Sequence, residues 1–218
     1  MAESKSEQGR SPRIDIVGGG VSGLNTGIEA LKSGKQVRIF EAEPYNPTLA
    51  QNPEQQRIIR RASDAGSAQW YPYVEGGLNK GEQEDQLQWM EDALDSYLER
   101  EIVEGYSSAM ARRRNFELMR DAEPMPDYLR GMLEKFGPVK EFGDVPKNPL
   151  EYSYGYDFTT LAINSPAMLT ALRQEFNELG GNFVSKKIES ADEFYELPGD
   201  VLVNCTGLGS SELFPDTG

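Results

Sequence analysis

Three glycines in the pattern G-x-G-x-x-G, Gly18, Gly20 and Gly23, separate a short β-rich run from an amphipathic segment. The run before them, residues 14–17, has the composition of a strand, and apolar residues recur at helical spacing over Val21–Lys32. A second strand is predicted over residues 36–40. Strand, helix and strand in this order form a βαβ unit, which implies a parallel sheet and an α/β fold.

This glycine pattern suits a dinucleotide site because each glycine has a separate use. Gly18 permits a tight turn, Gly20 lets the backbone approach a pyrophosphate, and Gly23 lets the helix pack closely on the strand. The first helical turn, with Val21 and Ser22, offers N–H groups and the positive end of the helix dipole to the phosphates. The alternative is a glycine turn with a purely structural role.

The second predicted strand is followed by Glu41 and Ala42. A carboxylate at this position accepts hydrogen bonds from ribose hydroxyls and repels a 2′-phosphate, which argues against NADP. The alternative for Glu41 is an ordinary surface residue, and Ala42 belongs to the same cofactor-binding turn. The pattern alone does not choose between FAD and NAD, although its position near the N-terminus favours FAD by analogy with other folds.

Composition excludes several classes of function. The chain has 218 residues and a net charge of −14, which argues against binding to nucleic acid or to an anionic membrane surface. Its one dense basic run, residues 112–114, is interpreted as an exposed edge of a helix or loop. Without histidine and with Cys205 as its single cysteine, the chain has no catalytic His triad, no Cys/His zinc site and no intrachain disulfide. We therefore expect no metal site and a reducing compartment, the cytoplasm.

The domain organisation follows from the order of these patterns. Residues 1–12 are polar and are interpreted as a mobile tail, and no run is long and apolar enough for a membrane span. The nucleotide-binding domain is predicted over residues 13–80 and 165–218. Residues 81–164 are predicted to be a helical excursion and the start of a mixed or antiparallel substrate domain. The further predicted elements are a loop over 44–81, helices over 82–104, 127–136 and 165–179, and strands over 115–119, 159–163, 182–188 and 201–204.

Three segments resemble the D-amino-acid oxidase family. Ala68-Gln69-Trp70-Tyr71-Pro72-Tyr73 is similar to the family's A-G-x-x-W-x-P-Y loop. Tyr154-Gly155-Tyr156 resembles its Y-G-Y-G segment, and Val203-Asn204-Cys205-Thr206-Gly207 resembles its V-N-C-T-G stretch. With the glycine pattern, the resemblance covers about residues 13–214, and it implies a Rossmann-type domain that binds FAD.

The resemblance also assigns cofactor contacts. It places Ala68, Gln69 and Trp70 beside the isoalloxazine ring. The alternative for Trp70, and also for Tyr73, is an aromatic side chain packed in the core. It places the backbone of Ile188, at the end of a strand, against the adenine; the alternative there is an ordinary buried strand residue.

The segment after the last strand completes the implied site. Thr206 and Gly207 follow that strand at the edge of the sheet where α/β proteins bind ligands. Cys205 is interpreted as a small buried residue rather than a reactive thiol.

The implied reaction is the oxidation of an amino acid or a related amine. The substrate Cα–H passes as hydride to the flavin, the imino acid hydrolyses to a keto acid, and oxygen reoxidises the flavin to give hydrogen peroxide. The family's substrate arginine and active-site tyrosines correspond to positions after Gly218, so no catalytic residue is assigned. Tyr152, Tyr154 and Tyr156 are interpreted as aromatic residues packed on a sheet.

A second polypeptide carrying the C-terminal half is therefore expected as partner. Two other functions remain open at this point: a flavin-binding subunit without catalysis, and a dehydrogenase that passes electrons to a partner.

Overall fold

A computed structural model describes residues 11–43, 45, 67–72, 79–143 and 152–215. The chain divides into two compact units: unit 1 is Met1–Gly66 with Leu169–Gly218, and unit 2 is Ser67–Met168. The sequence instead places the boundaries after residues 80 and 164, and the cofactor and substrate roles of the two parts stay predictions. The expected N-terminal tail, nearly all of the expected loop before Ser67, and Tyr73 lie outside the described residues.

Within the described ranges the elements alternate along the chain. The strands are β1 (Arg13–Val17), β2 (Gln36–Glu41), β3 (Ser67–Gln69), β4 (Met110–Met119), β5 (Lys140–Gly143), β6 (Tyr154–Asn164), β7 (Asn182–Ser185) and β8 (Val201–Asn204). The helices are α1 (Val21–Lys32), α2 (Lys80–Glu101), α3 (Asp127–Glu134), α4 (Ser165–Glu178), α5 (Ala191–Tyr195) and α6 (Ser210–Leu213).

Unit 1 is built on a parallel sheet with the strand order β7-β2-β1-β8. Ile16 of β1 and Ile39 of β2 are directly paired, and both are fully buried. Helix α1 buries Leu24 and Ile28 on the face that its periodicity predicts. The βαβ unit and the parallel sheet predicted from the sequence are therefore confirmed.

Unit 2 contains a second, antiparallel sheet centred on β6. Strand β4 pairs with β6 along its full length, while β3 and β5 pair with opposite ends of β6. Phe158 and Leu161 of β6 are buried in this unit, as is Leu94 of α2. The predicted combination of a parallel sheet with an antiparallel one is confirmed.

Three strands differ from their predicted bounds by more than one residue. Strand β6 begins at Tyr154 rather than at residue 159. Strand β4 begins at Met110 and includes the arginine run, for which the sequence predicts a helix or loop edge. The arginines are exposed as predicted, but they lie on a strand because its ladder to β6 outweighs local propensity. Strand β7 ends at Ser185, so Ile188 follows the strand instead of ending it.

None of the described helices is both long enough and apolar enough to cross a membrane.

Candidate functional site

The glycine turn after β1 is shaped by close backbone contacts. Gly18 has a φ of +114°, and a Cβ added to it would overlap the carbonyl oxygen of Cys205. Its N–H donates to the Phe40 carbonyl at 2.9 Å, while the N–H of Cys205 donates to Val17 at 2.8 Å. Gly18 therefore lets the chain turn between the ends of β2 and β8, as the sequence predicts for this position.

Gly23 fixes the start of α1 against the same turn. A Cβ there would overlap the carbonyl oxygen of Gly18 and would lie 3.4 Å from the Cβ of Cys205. Only glycine lets helix and turn approach this closely, which agrees with the packing role that the pattern predicts.

The first turn of α1 carries no acidic side chain of its own. Gly20 is its N-cap and makes no side-chain cap hydrogen bond, and the first turn holds no acidic residue. Val21 is half-buried and Ser22 is exposed. A helix start whose own first turn carries no carboxylate suits a phosphate group.

Glu41 lies beside this turn rather than on the open surface. Its side chain is buried, and a Cβ added to Gly19 would lie 2.5 Å from its Oε2. Arg173 of α4 donates to both carboxylate oxygens, from Nη2 to Oε1 at 2.7 Å and from Nη1 to Oε2 at 3.0 Å. The structure thus brings the glycine turn and the predicted ribose ligand together, with Ala42 exposed directly after it.

Sequence reasoning missed Arg173, although the chain carries a signal for it. Leu169, Leu172 and Phe176 are buried on α4, and Arg173 falls at helical spacing on the same stripe. A charged residue within a buried stripe needs a partner of opposite charge. The pattern therefore predicts an ion pair for Arg173, but not which carboxylate forms it.

The turn after β8 completes this edge of the sheet. The Asn204 side chain accepts hydrogen bonds from the Thr206 N–H at 3.1 Å and from its hydroxyl at 2.7 Å. A Cβ on Gly18 would come within 3.0 Å of the Thr206 nitrogen, so the two turns are adjacent. Gly207 has a φ of +58° and is exposed, with open space where a Cβ would stand.

Ile188 is packed in the interior of unit 1. It is 6% exposed and belongs to a cluster with Val17, Phe40 and Phe194. Because β7 ends before it, the expectation of a strand-end residue is wrong for Ile188. Its burial favours the ordinary packing role, and a backbone contact to adenine stays a prediction.

Ala68, Gln69 and Trp70 lie in unit 2, at β3 and directly after it. Ala68 and Gln69 are exposed, whereas Trp70 is buried with its ring 5.8 Å from that of Phe136. The Trp70 N–H donates to Leu161 at 2.9 Å, and its carbonyl accepts from the Thr160 hydroxyl at 2.6 Å. These contacts favour the core interpretation of Trp70, while the flavin contacts of all three residues stay predictions.

The tyrosines of β6 pack on their sheet. Tyr154 and Tyr156 meet edge to face, 5.6 Å between ring centroids, and the Tyr156 hydroxyl donates to the Glu123 carbonyl. This packing supports the structural interpretation for these two residues.

Cys205 is half-buried at the glycine turn. Burial raises the pKa of its thiol above the ordinary value, although a hydrogen bond with Thr26 acts in the opposite direction. A raised pKa disfavours the thiolate, so Cys205 has the character of a packing residue and not of a nucleophile.

Comparison with known proteins shows the family of the chain. The family model described as FAD dependent oxidoreductase matches residues 13–217. The D-amino-acid oxidase of Dictyostelium discoideum is 28% identical over 99% of this chain and 57% of its own length. That of Rubrobacter xylanophilus is 27% identical over 94% of this chain and 55% of its own.

One solved structure shows how far the fold is shared. Glycine oxidase from Geobacillus kaustophilus superposes with a TM-score of 0.58 at 16% identity, covering 93% of this chain and 58% of that protein. The chain therefore spans a little over half the length of these relatives.

Proposed function

The chain belongs to the FAD-dependent oxidoreductase family, and from this membership we propose that it is the FAD-binding portion of an amino-acid oxidase. The observation that carries the proposal is the juxtaposition in unit 1 of the glycine turn, the start of α1 and the Glu41 carboxylate. A strand-ending acid next to a glycine-lined helix start matches the two polar parts of a dinucleotide, its ribose and its diphosphate.

The protein's own groups have distinct tasks in this site. The first turn of α1 receives the diphosphate, and Gly20 leaves room for it. Glu41 accepts the ribose hydroxyls. Bound FAD supplies the redox chemistry by taking two electrons from the substrate.

We propose an amino acid or a related amine as the substrate class. Two-electron oxidation of an amino acid gives an imino acid that hydrolyses to a keto acid and ammonia, and oxygen takes up the two electrons and two protons to give hydrogen peroxide. The names of the relatives from Dictyostelium discoideum and Rubrobacter xylanophilus support this choice. The substrate-binding and catalytic groups are proposed to come from a C-terminal half on a second polypeptide, and the location is proposed to be the cytoplasm.

The cofactor site is tested by replacing Gly20 with valine. Gly20 has a φ of −83°, which valine adopts without backbone strain, so the added side chain acts mainly on the space needed by the diphosphate. The flavin absorbance of the purified Gly20→Val protein should fall to background while its circular dichroism stays that of the wild type. Full flavin occupancy in this variant would contradict the proposed site.

The matched control is Gly131→Val. Gly131 is exposed on α3, and an added Cβ meets no atom within 4 Å. This variant should keep its flavin, which separates a loss at the site from a general effect of valine.

A further inference from the structure

Arg173 contacts Glu41, but the proposed cofactor site assigns no role to it. Its side chain is 13% exposed, and its two terminal nitrogens each donate to a different oxygen of Glu41. The two parallel N–H groups of a guanidinium bind the two oxygens of a carboxylate in one plane. This contact therefore fixes the orientation of the Glu41 carboxylate.

Aromatic rings hold Arg173 itself in place. Its guanidinium lies over the ring of Phe183 at 3.9 Å from the centroid, and the ring of Tyr45 is at 5.1 Å. Phe183 in turn packs on Phe176 with 4.8 Å between the centroids. Arg173 is therefore anchored to β7 and α4 independently of its contact with Glu41.

The glycine turn confines the same carboxylate from another side. A Cβ on Gly19 would come within 2.5 Å of Glu41 Oε2 and within 3.4 Å of Arg173 Nη1. The absence of a side chain at Gly19 thus gives the ion pair its space beside the start of α1.

The positive charge of Arg173 has a second effect beside the start of α1. A carboxylate close to the start of α1 opposes the binding of a diphosphate there, because like charges repel. The positive charge of the guanidinium offsets that repulsion.

We propose that Arg173 is a positioning residue for the adenosine ribose of the cofactor. It fixes the orientation of the Glu41 carboxylate beside the glycine turn, where the ribose is proposed to bind, and it offsets the Glu41 charge near the diphosphate. This inference rests on the proposed FAD site.

The test compares two ligands on the flavin-stripped protein. One is FAD, and the other is FAD in which hydrogen replaces the 2′-hydroxyl of the adenosine ribose. Dissociation constants are measured from the quenching of flavin fluorescence. The wild type should prefer FAD by about tenfold, the effect of one hydrogen bond to a charged group.

Variants at Arg173 should remove that preference. Arg173→Met should bind both ligands with nearly equal affinity, and Arg173→Lys should show an intermediate preference because lysine has no planar fork. The combined Arg173→Met and Glu41→Gln protein should lose no more preference than Glu41→Gln alone.

Arg38→Met is the matched control. Arg38 makes the same two-point contact with a buried carboxylate, Asp15, at 2.8 and 2.6 Å in the same sheet. Its loss should lower the melting temperature and leave the preference between the ligands unchanged.

A wild-type preference retained in folded Arg173→Met would overturn the proposal and leave Arg173 a structural role. If that variant does not fold, a full preference in Arg173→Lys overturns it instead. Failure of the wild type to bind either ligand would contradict the FAD site itself. That result is distinct from the two outcomes that overturn only the role of Arg173.

Discussion

Gly18 and Gly34 both have positive φ angles, +114° and +76°, but their surroundings differ. A Cβ at Gly18 would overlap the Cys205 carbonyl, whereas nothing lies within 4 Å of a Cβ at Gly34. We expect Gly34→Ala to lower the free energy of unfolding by about 1–2 kcal/mol from backbone strain alone. Gly18→Ala should cost clearly more, as measured by urea denaturation. Equal losses would mean that the turn relaxes easily around Gly18.

Tyr71 provides a prediction on pH dependence. Burial, and then its hydrogen bond to Glu117 at 2.7 Å, raise the pKa of Tyr71 above its ordinary value of 10.0. The unfolded chain thus loses this proton at lower pH than the folded one, so the contribution of Tyr71 is complete below pH 10.0 and is lost as the pH rises further.

The measurement is the free energy of unfolding of the wild type and Tyr71→Phe. The wild type should be more stable by about 1 kcal/mol at pH 7, and this difference should shrink above pH 10. Tyr195→Phe, at a tyrosine that is 68% exposed, is the control. A difference that stays constant up to pH 11 would contradict the assigned role of the Tyr71 hydroxyl.

At the scale of elements, a negative charge at the N-terminus of α1 should have opposite effects on the stability of the flavin-free protein and on FAD binding. Ser22 is exposed in the first turn, where a carboxylate interacts favourably with the helix dipole. Ser22→Asp should therefore stabilise the flavin-free protein by about 0.3–1 kcal/mol. The same charge should weaken FAD binding because it repels the diphosphate.

Ser22→Asn is the neutral control for this substitution. It should leave FAD affinity close to that of the wild type, as measured by flavin fluorescence. If Ser22→Asp bound FAD as tightly as Ser22→Asn, the diphosphate would not lie at this helix start.

The prediction at the scale of the whole molecule concerns activity. The chain spans 57% of the length of its relative from Dictyostelium discoideum, and the catalytic groups are proposed to lie on a second polypeptide. We expect the isolated chain to release no peroxide from a panel of D- and L-amino acids. Addition of a polypeptide carrying the C-terminal half should restore peroxide release. Robust turnover by the 218-residue chain alone would contradict the proposed division of the active site.

Local sequence determined the βαβ unit and the glycine turn. The periodicity of α1 and the β-branched runs beside it depend on neighbouring residues, so they can be read without a structure. The roles of Gly18 and Gly23 follow from the same short pattern, because the turn geometry leaves little choice of residue. The segments similar to D-amino-acid oxidases extended this local information to the family and to FAD.

Only the tertiary structure decided which distant groups meet. Glu41 and Arg173 are 132 residues apart, and the parallel pairing of β2 with β7 and the packing of α4 bring them together. The same holds for the arginine run, which is a strand because β6 pairs with it, and for Ile188, which is buried by residues from other elements. A sequence pattern specifies which residues need a partner, but the identity of the partner depends on which distant elements of the chain pack together.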